Sequence, residues 1–87
     1  MPYLFLTTPM RRHTAGLDRL EVSGATVREA LTEAERRYPG ITDDLLEDGD
    51  LRAGITIAID DTIVDRPLGF QLKDESEIYI VPAMSGG

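Results

Sequence analysis

Apolar and polar residues alternate at two different periods along this chain, and the changes of period mark out its elements. Residues Tyr3 to Thr7 carry β-favouring side chains, and Pro9 then removes a backbone donor, which predicts a first strand. Met10 to Gly16 reads as a turn. From Leu17 to Val22, apolar Leu20 and Val22 alternate with Arg19 and Glu21, the pattern of a half-buried strand paired back on the first as a hairpin. The period then becomes helical. Val27, Ala30, Leu31, Ala34 and Tyr38 share one face, while Arg28, Glu29, Glu33 and Arg37 lie elsewhere. Thr26 followed three residues later by Glu29 has the capping-box spacing, and Pro39-Gly40 marks the end.

From Ile41 to Ala53 the acidic residues Asp43, Asp44, Glu47, Asp48 and Asp50 surround Leu45 and Leu46, predicting a surface loop with a short helical turn pinned by two leucines. Ile55 to Ile59 and Thr62 to Val64 are β-branched runs joined by Asp60-Asp61, a tight hairpin without the glycine that favoured turns prefer. After a connection from Arg66 to Asp74, Glu77 to Val81 is a last strongly β-prone run, closed by Pro82.

Two strands, one helix and further strands predict an α+β domain with one main helix packed on one face of a mixed sheet of four to five strands. The β-grasp (ubiquitin-like) fold is the compact solution. It sets the first and last strands side by side in parallel at the sheet centre, which suits the mostly apolar Leu4-Phe5-Leu6 and Ile78-Tyr79-Ile80-Val81 runs. A ferredoxin-like arrangement needs a second helix that the pattern does not supply. The expected organisation is a β-grasp domain over residues 1–82 and a flexible C-terminal tail over residues 83–87.

Composition narrows the function. A chain of 87 residues makes one domain with one modest core, leaving little room for an enclosed active site. Its 16 acidic and 9 basic residues give a net charge of -7, which repels phosphate backbones and anionic lipid, so neither nucleic acid nor membrane is an expected partner. No stretch has the pattern of a membrane span or signal peptide, and the cytosol is the expected compartment. There is no cysteine, so disulfides, thiolate metal sites and a protein persulfide drop out, and with a single histidine no structural metal is expected.

The side chains offer no catalytic set. His13 stands in a turn with Arg11 and Arg12 but has no serine or cysteine nucleophile assigned to it, and is expected to be solvated. Asp43-Asp44 and Asp60-Asp61 lack calcium-loop spacing and read as a solvated loop and a turn. The acidic surface would steer a partner with a basic docking face. Leu68, Phe70 and Met84 form a candidate docking surface, with Phe70 expected in the core and Met84 in the docking role.

What remains is the tail, Ala83-Met84-Ser85-Gly86-Gly87. Extended from Pro82 it reaches about 20 Å. Two glycines without Cβ atoms let a backbone pass through a narrow channel and leave a terminal carboxylate open to a bulky electrophile. Terminal residues are also often small and inert, so the dipeptide is informative only after a terminal strand and a proline in a domain of this element order.

In that setting the chain resembles the ThiS/MoaD-like sulfur carriers, a family that includes the thiamine-biosynthesis carrier, the molybdopterin synthase small subunit and the carrier used in cysteine synthesis. The resemblance rests on Pro9-x-x-Arg12 and Thr14-x-Gly16, on Gly24-x-Thr26-Val27-x-x-Ala30-Leu31, on Tyr38-Pro39-Gly40, and on Ile80-Val81-Pro82-Ala83 leading to Gly86-Gly87. It implies a protein substrate, not an enzyme, that binds no cofactor and is a monomer when free. A ubiquitin-activating-type enzyme uses ATP to adenylate the Gly87 carboxylate, and a sulfur donor converts it to a thiocarboxylate for a sulfur-accepting synthase. Gly86, Ser85 and Met84 would be the inserted tail. Met84-Ser85 departs from the expected Val-Ala before Gly-Gly. The Arg12, Thr14 and Gly16 segment slightly favours the cysteine-type carriers over the small subunit of molybdopterin synthase. A ubiquitin-like protein modifier and a plain binding module with an inert tail are the remaining readings.

Overall fold

The computed structural model describes the backbone of residues 1–82 and the side chains of residues 1–81. In chain order it forms β1 (Tyr3–Phe5), α1 (Thr8–Arg11), a 3-10 turn (Arg12–Thr14), β2 (Arg19–Glu21) and α2 (Val27–Arg37). There follow β3 (Leu46–Glu47), β4 (Asp50–Leu51), β5 (Ile55–Ile59), β6 (Thr62–Val64), a second 3-10 turn (Pro67–Gly69) and β7 (Glu77–Pro82).

Five strands make one mixed sheet in the order β2-β1-β7-β5-β6, and β3 and β4 make a separate two-stranded hairpin. The first and last strands run parallel at the centre, with Leu4 opposite Ile78. This is the expected β-grasp topology. Leu4, Leu20, Ile57, Ile59, Ile78 and Ile80 line the inner face and share one core with Val27, Ala30, Leu31 and Ala34 of α2. No helix among the described residues is long and apolar enough to cross a membrane.

The start of α2 follows its sequence signal with one change. Thr26 Oγ1 accepts the Glu29 N–H at 3.2 Å, while the Glu29 carboxylate reaches one residue beyond the cap and accepts the Ala25 N–H at 2.9 Å. Gly24 makes that approach feasible. Its φ is +150°, and a Cβ there would lie 2.8 Å from the Ala30 backbone nitrogen and 2.8 Å from Glu29 Cβ. Neither backbone can retreat without unseating the helix, so Gly24→Ala is expected to cost about 2 kcal/mol and lower Tm by about 10 °C in thermal denaturation.

Two segments differ from their sequence reading. Met10 to Gly16 is not a simple turn: Pro9 sits in the first turn of α1, where its missing N–H has no helical partner anyway, and Met10 is fully buried in the core. Between Ile41 and Ala53, the two leucines do pin the segment, with Leu45 buried and Leu46 packed against the core. Its regular part, however, is the β3–β4 hairpin rather than a helical turn. Asp48 and Gly49 at its tip have φ of 54° and 83°, the left-handed pair that a tight hairpin requires. Asp60 and Asp61 form the predicted turn at φ of 49° and 71°, and Asp60 Oδ1 accepts the Glu77 N–H at 2.9 Å, tying the turn to β7.

After α2 the chain is held by one carboxylate. Glu35 accepts from the Gly40 N–H at 2.6 Å, the Thr42 hydroxyl at 2.7 Å and the Thr42 N–H at 3.1 Å, which seats Ile41 in the core. Partial burial pushes the Glu35 carboxyl up, but these three bonds and the charge of nearby His13 together hold it below its ordinary value. The stability it contributes is therefore complete above its unfolded pKa and is lost as pH falls through the lower folded one. Glu35→Ala is expected to cost ~1–2 kcal/mol at neutral pH, allowing for its partial exposure, and to flatten the acid limb of a Tm-against-pH curve.

Candidate functional site

The inner face of the sheet is covered by α2, whereas its outer face is not. One register row crosses all five strands on that side: Arg19 is opposite Phe5, Phe5 opposite Tyr79, Tyr79 opposite Ala58, and Ala58 opposite Ile63. The Phe5 and Tyr79 rings stack at 4.5 Å between centroids. At one end of the row the Arg19 guanidinium lies 5.3 Å from the Tyr3 ring centroid and 5.9 Å from that of Phe5. At the other end Ile63 is 64% exposed on the edge strand.

The two ends of β7 have opposite character on this face. At its start, the Tyr79 hydroxyl donates to Glu77 at 2.9 Å. That hydrogen bond, then desolvation and the charges of Glu77, Asp61 and Asp60, raise the Tyr79 pKa and keep the ring neutral. At its end, Val81 is 38% exposed and pairs with Thr56, and Pro82 pairs with Ile55 as the last residue of the strand. An apolar band rimmed by Arg19 and by carboxylates thus leads along the central strand to the base of the tail.

The sequence-predicted site residues divide into two groups. Met84, Ser85, Gly86 and Gly87, with the boundary between domain and tail, lie outside the described residues. Leu68 is half-buried and packs against the core, and Phe70 is 40% exposed, so the expectation of a core Phe70 is corrected. Pro67 and Leu68 occupy that position instead. The 3-10 turn ends where the Phe70 N–H bonds to the Pro67 carbonyl, and the Phe70 carbonyl then accepts the Val27 N–H, fixing its backbone while its ring stays out of the core. His13 is exposed as expected, with its ring against Gly40. Phe5, Tyr79, Ile63 and Val81 were not among the predicted docking residues.

A helix on one face of a five-stranded mixed sheet, with parallel first and last strands and an uncovered apolar face leading to a C-terminal tail, defines a ubiquitin-like domain. Within that class the chain belongs to the ThiS family, whose model matches residues 5–87. It is 29% identical to the sulfur carrier protein CysO of Mycobacterium tuberculosis, over 94% of each chain. Among solved structures it is similar to a chain of the Amycolatopsis orientalis BexX/CysO complex, with TM-score 0.89, 31% identity and full coverage of both chains. It is also similar to the small archaeal modifier protein 1 of Methanosarcina acetivorans, with TM-score 0.80 and 30% identity, covering 99% of this chain and 95% of that one.

Proposed function

We propose that this chain is a sulfur carrier whose Gly87 carboxylate is the chemical site. The observation that carries the reading is a ThiS-family match running through residue 87, on a β-grasp body whose last, central strand ends at Pro82, four residues before Gly86 in the sequence. A carboxylate oxygen of Gly87 attacks the α-phosphorus of ATP held by an activating enzyme, releasing pyrophosphate. A sulfur nucleophile then attacks the acyl carbon of the adenylate, the C–O bond to AMP breaks, and a thiocarboxylate is left. The carrier supplies no catalytic side chain. It supplies a threadable end, with Met84 and Ser85 leading to Gly86, and an apolar face on which the enzyme can seat the domain.

The similarity to CysO supports a cysteine-type acceptor for the sulfur. Incubation with ATP, a candidate activating enzyme and sulfide is expected to add about 16 Da, the exchange of one oxygen for sulfur, by intact-mass spectrometry. A chain that keeps its mass with several such enzymes would sink the reading. The likeness to a small archaeal modifier protein supports a second use of the same activated end, an isopeptide bond to a lysine of another protein. Covalent ladders in lysate that vanish on deletion of Gly87 would identify it.

A further inference from the structure

The tail offers an activating enzyme little with which to tell this carrier from any other chain ending in glycines, so selection must use the surface around the tail's base. Pro82 is the register partner of Ile55. β6 ends at Val64, and the chain then bends through Asp65 and Arg66, so that Arg66 and Ile55 border the same groove beside the last strand residue before the tail. Arg66 stands between two adjoining grooves, one with Leu51, Ile55 and Val64 and the other with Leu51, Leu68 and Arg28, both bordered by Pro67.

Two further features single out Arg66. Its φ is +56°, a left-handed conformation that costs an arginine more than it would a glycine or asparagine. Arg11, Arg12, Arg28, Arg36, Arg37 and Arg52 are each held by an acceptor of this chain and Arg19 lies over the Tyr3 and Phe5 rings, whereas among the described residues Arg66 has no such hydrogen bond, ion pair or ring contact. Asp65 beside it and Asp50 across the second groove, itself 4.0 Å from Arg28, are the nearest carboxylates in sequence and lining. An exposed guanidinium on an apolar ledge, in a chain of net charge -7, is a local positive mark on a negative molecule.

We propose that Arg66 is the recognition residue at the tail base, pairing with a carboxylate on the rim of the adenylating enzyme's tail channel. The inference rests on the sulfur-carrier reading and adds a residue to it. Extended from Pro82 the tail reaches about 20 Å, so an enzyme that reaches Gly87 brings its channel rim close to Pro82 and within range of a long side chain at Arg66. The guanidinium fork fixes the domain's rotation about the tail, which the apolar face alone leaves loose.

The test is ATP–pyrophosphate exchange, which reads adenylation alone, using an activating enzyme that accepts the wild-type chain. Arg66→Glu is expected to raise KM for the carrier ten-fold or more with kcat within two-fold, the gap narrowing at high salt. Arg66→Gly suits the left-handed backbone, so it should keep or raise Tm and still raise KM, which a purely structural role would not do. KM within two-fold of wild type for both variants overturns the proposal while leaving the carrier reading intact. Absence of exchange with the wild-type chain across candidate enzymes overturns both. Amide shifts at Leu51, Arg66 and Leu68 on removing Gly86-Gly87 from the free protein would make the chain's own tail the occupant, and would also overturn it.

Discussion

A chain lacking Gly86 and Gly87 is expected to acquire no sulfur at all, because adenylation needs a carboxylate at the end of a strip of backbone narrow enough to enter the enzyme. Truncation leaves Ser85 as the terminus, two residues short and carrying a hydroxymethyl group in place of a glycine without Cβ. The deleted chain should show no species heavier by about 16 Da under conditions that convert the full chain. Its Tm should be unchanged, because the last core residue among the described ones is Ile80. Gly86→Ala separates passage from chemistry: the carboxylate remains, but one Cβ enters the constriction, and a loss of about ten-fold or more in kcat/KM is expected. Full conversion of the truncated chain would show that the two glycines are not required for activation.

The second large effect is expected on the outer sheet face. Val81 lies on the central strand, two residues after Tyr79 and directly before the last strand residue, so any partner holding the tail covers it. Val81 is 38% exposed, so burying the remainder on docking contributes roughly 0.5–1 kcal/mol, whereas an aspartate there must be desolvated against an apolar surface. Val81→Asp is expected to raise KM for activation by about 30-fold or more, consistent with a loss of about 2 kcal/mol at an interface hot spot. Some of that change could reflect a weakened strand, since aspartate is poor in a central strand by about 1 kcal/mol. Ile63→Asp provides the control: at 64% exposure on the edge it contributes little to the fold, so a rise in KM there at constant Tm reports docking alone. If both variants are activated like wild type, the outer face is not where the enzyme sits.

Much of this fold was legible because its determinants are local. The 3.6-residue spacing from Val27 to Ala34, the Thr26–Glu29 cap and the Pro39-Gly40 stop each act within a few residues, and α2 follows them. The parallel pairing of β1 and β7 followed from topology and apolar content. The same apolar content concealed the docking face. Uninterrupted runs such as Ile78-Tyr79-Ile80-Val81 suit a central strand without telling its two faces apart, and because α2 covers only one side, Tyr79, Val81 and Phe5 are left on the other. Counting the available covers against the apolar faces would have found them.

The β3–β4 hairpin had a plain signal in Asp48-Gly49, but the density of carboxylates around Leu45 and Leu46 suggested a surface loop with a short helical turn. Phe70 was misplaced for a different reason. In a connection without periodicity, size suggests burial, and only the tertiary placement of Pro67 and Leu68 decides which side chain closes the core. Arg66 carried no sequence signal, because its meaning depends on bordering the same groove as Ile55, the register partner of Pro82.

The central position of β7 has a consequence for how this protein is made. The strand that precedes the tail is also the one that joins the β1–β2 half of the sheet to the β5–β6 half. Until residues 77–82 have been synthesised, neither half has its partner and the inner face of the sheet cannot close over α2. Folding is therefore coupled to synthesis of β7, and a product cut short before it is left open to proteolysis. Possession of the native fold thus acts as a certificate of length: an enzyme that tests the shape of the domain is also testing that translation has passed the strand from which the tail departs.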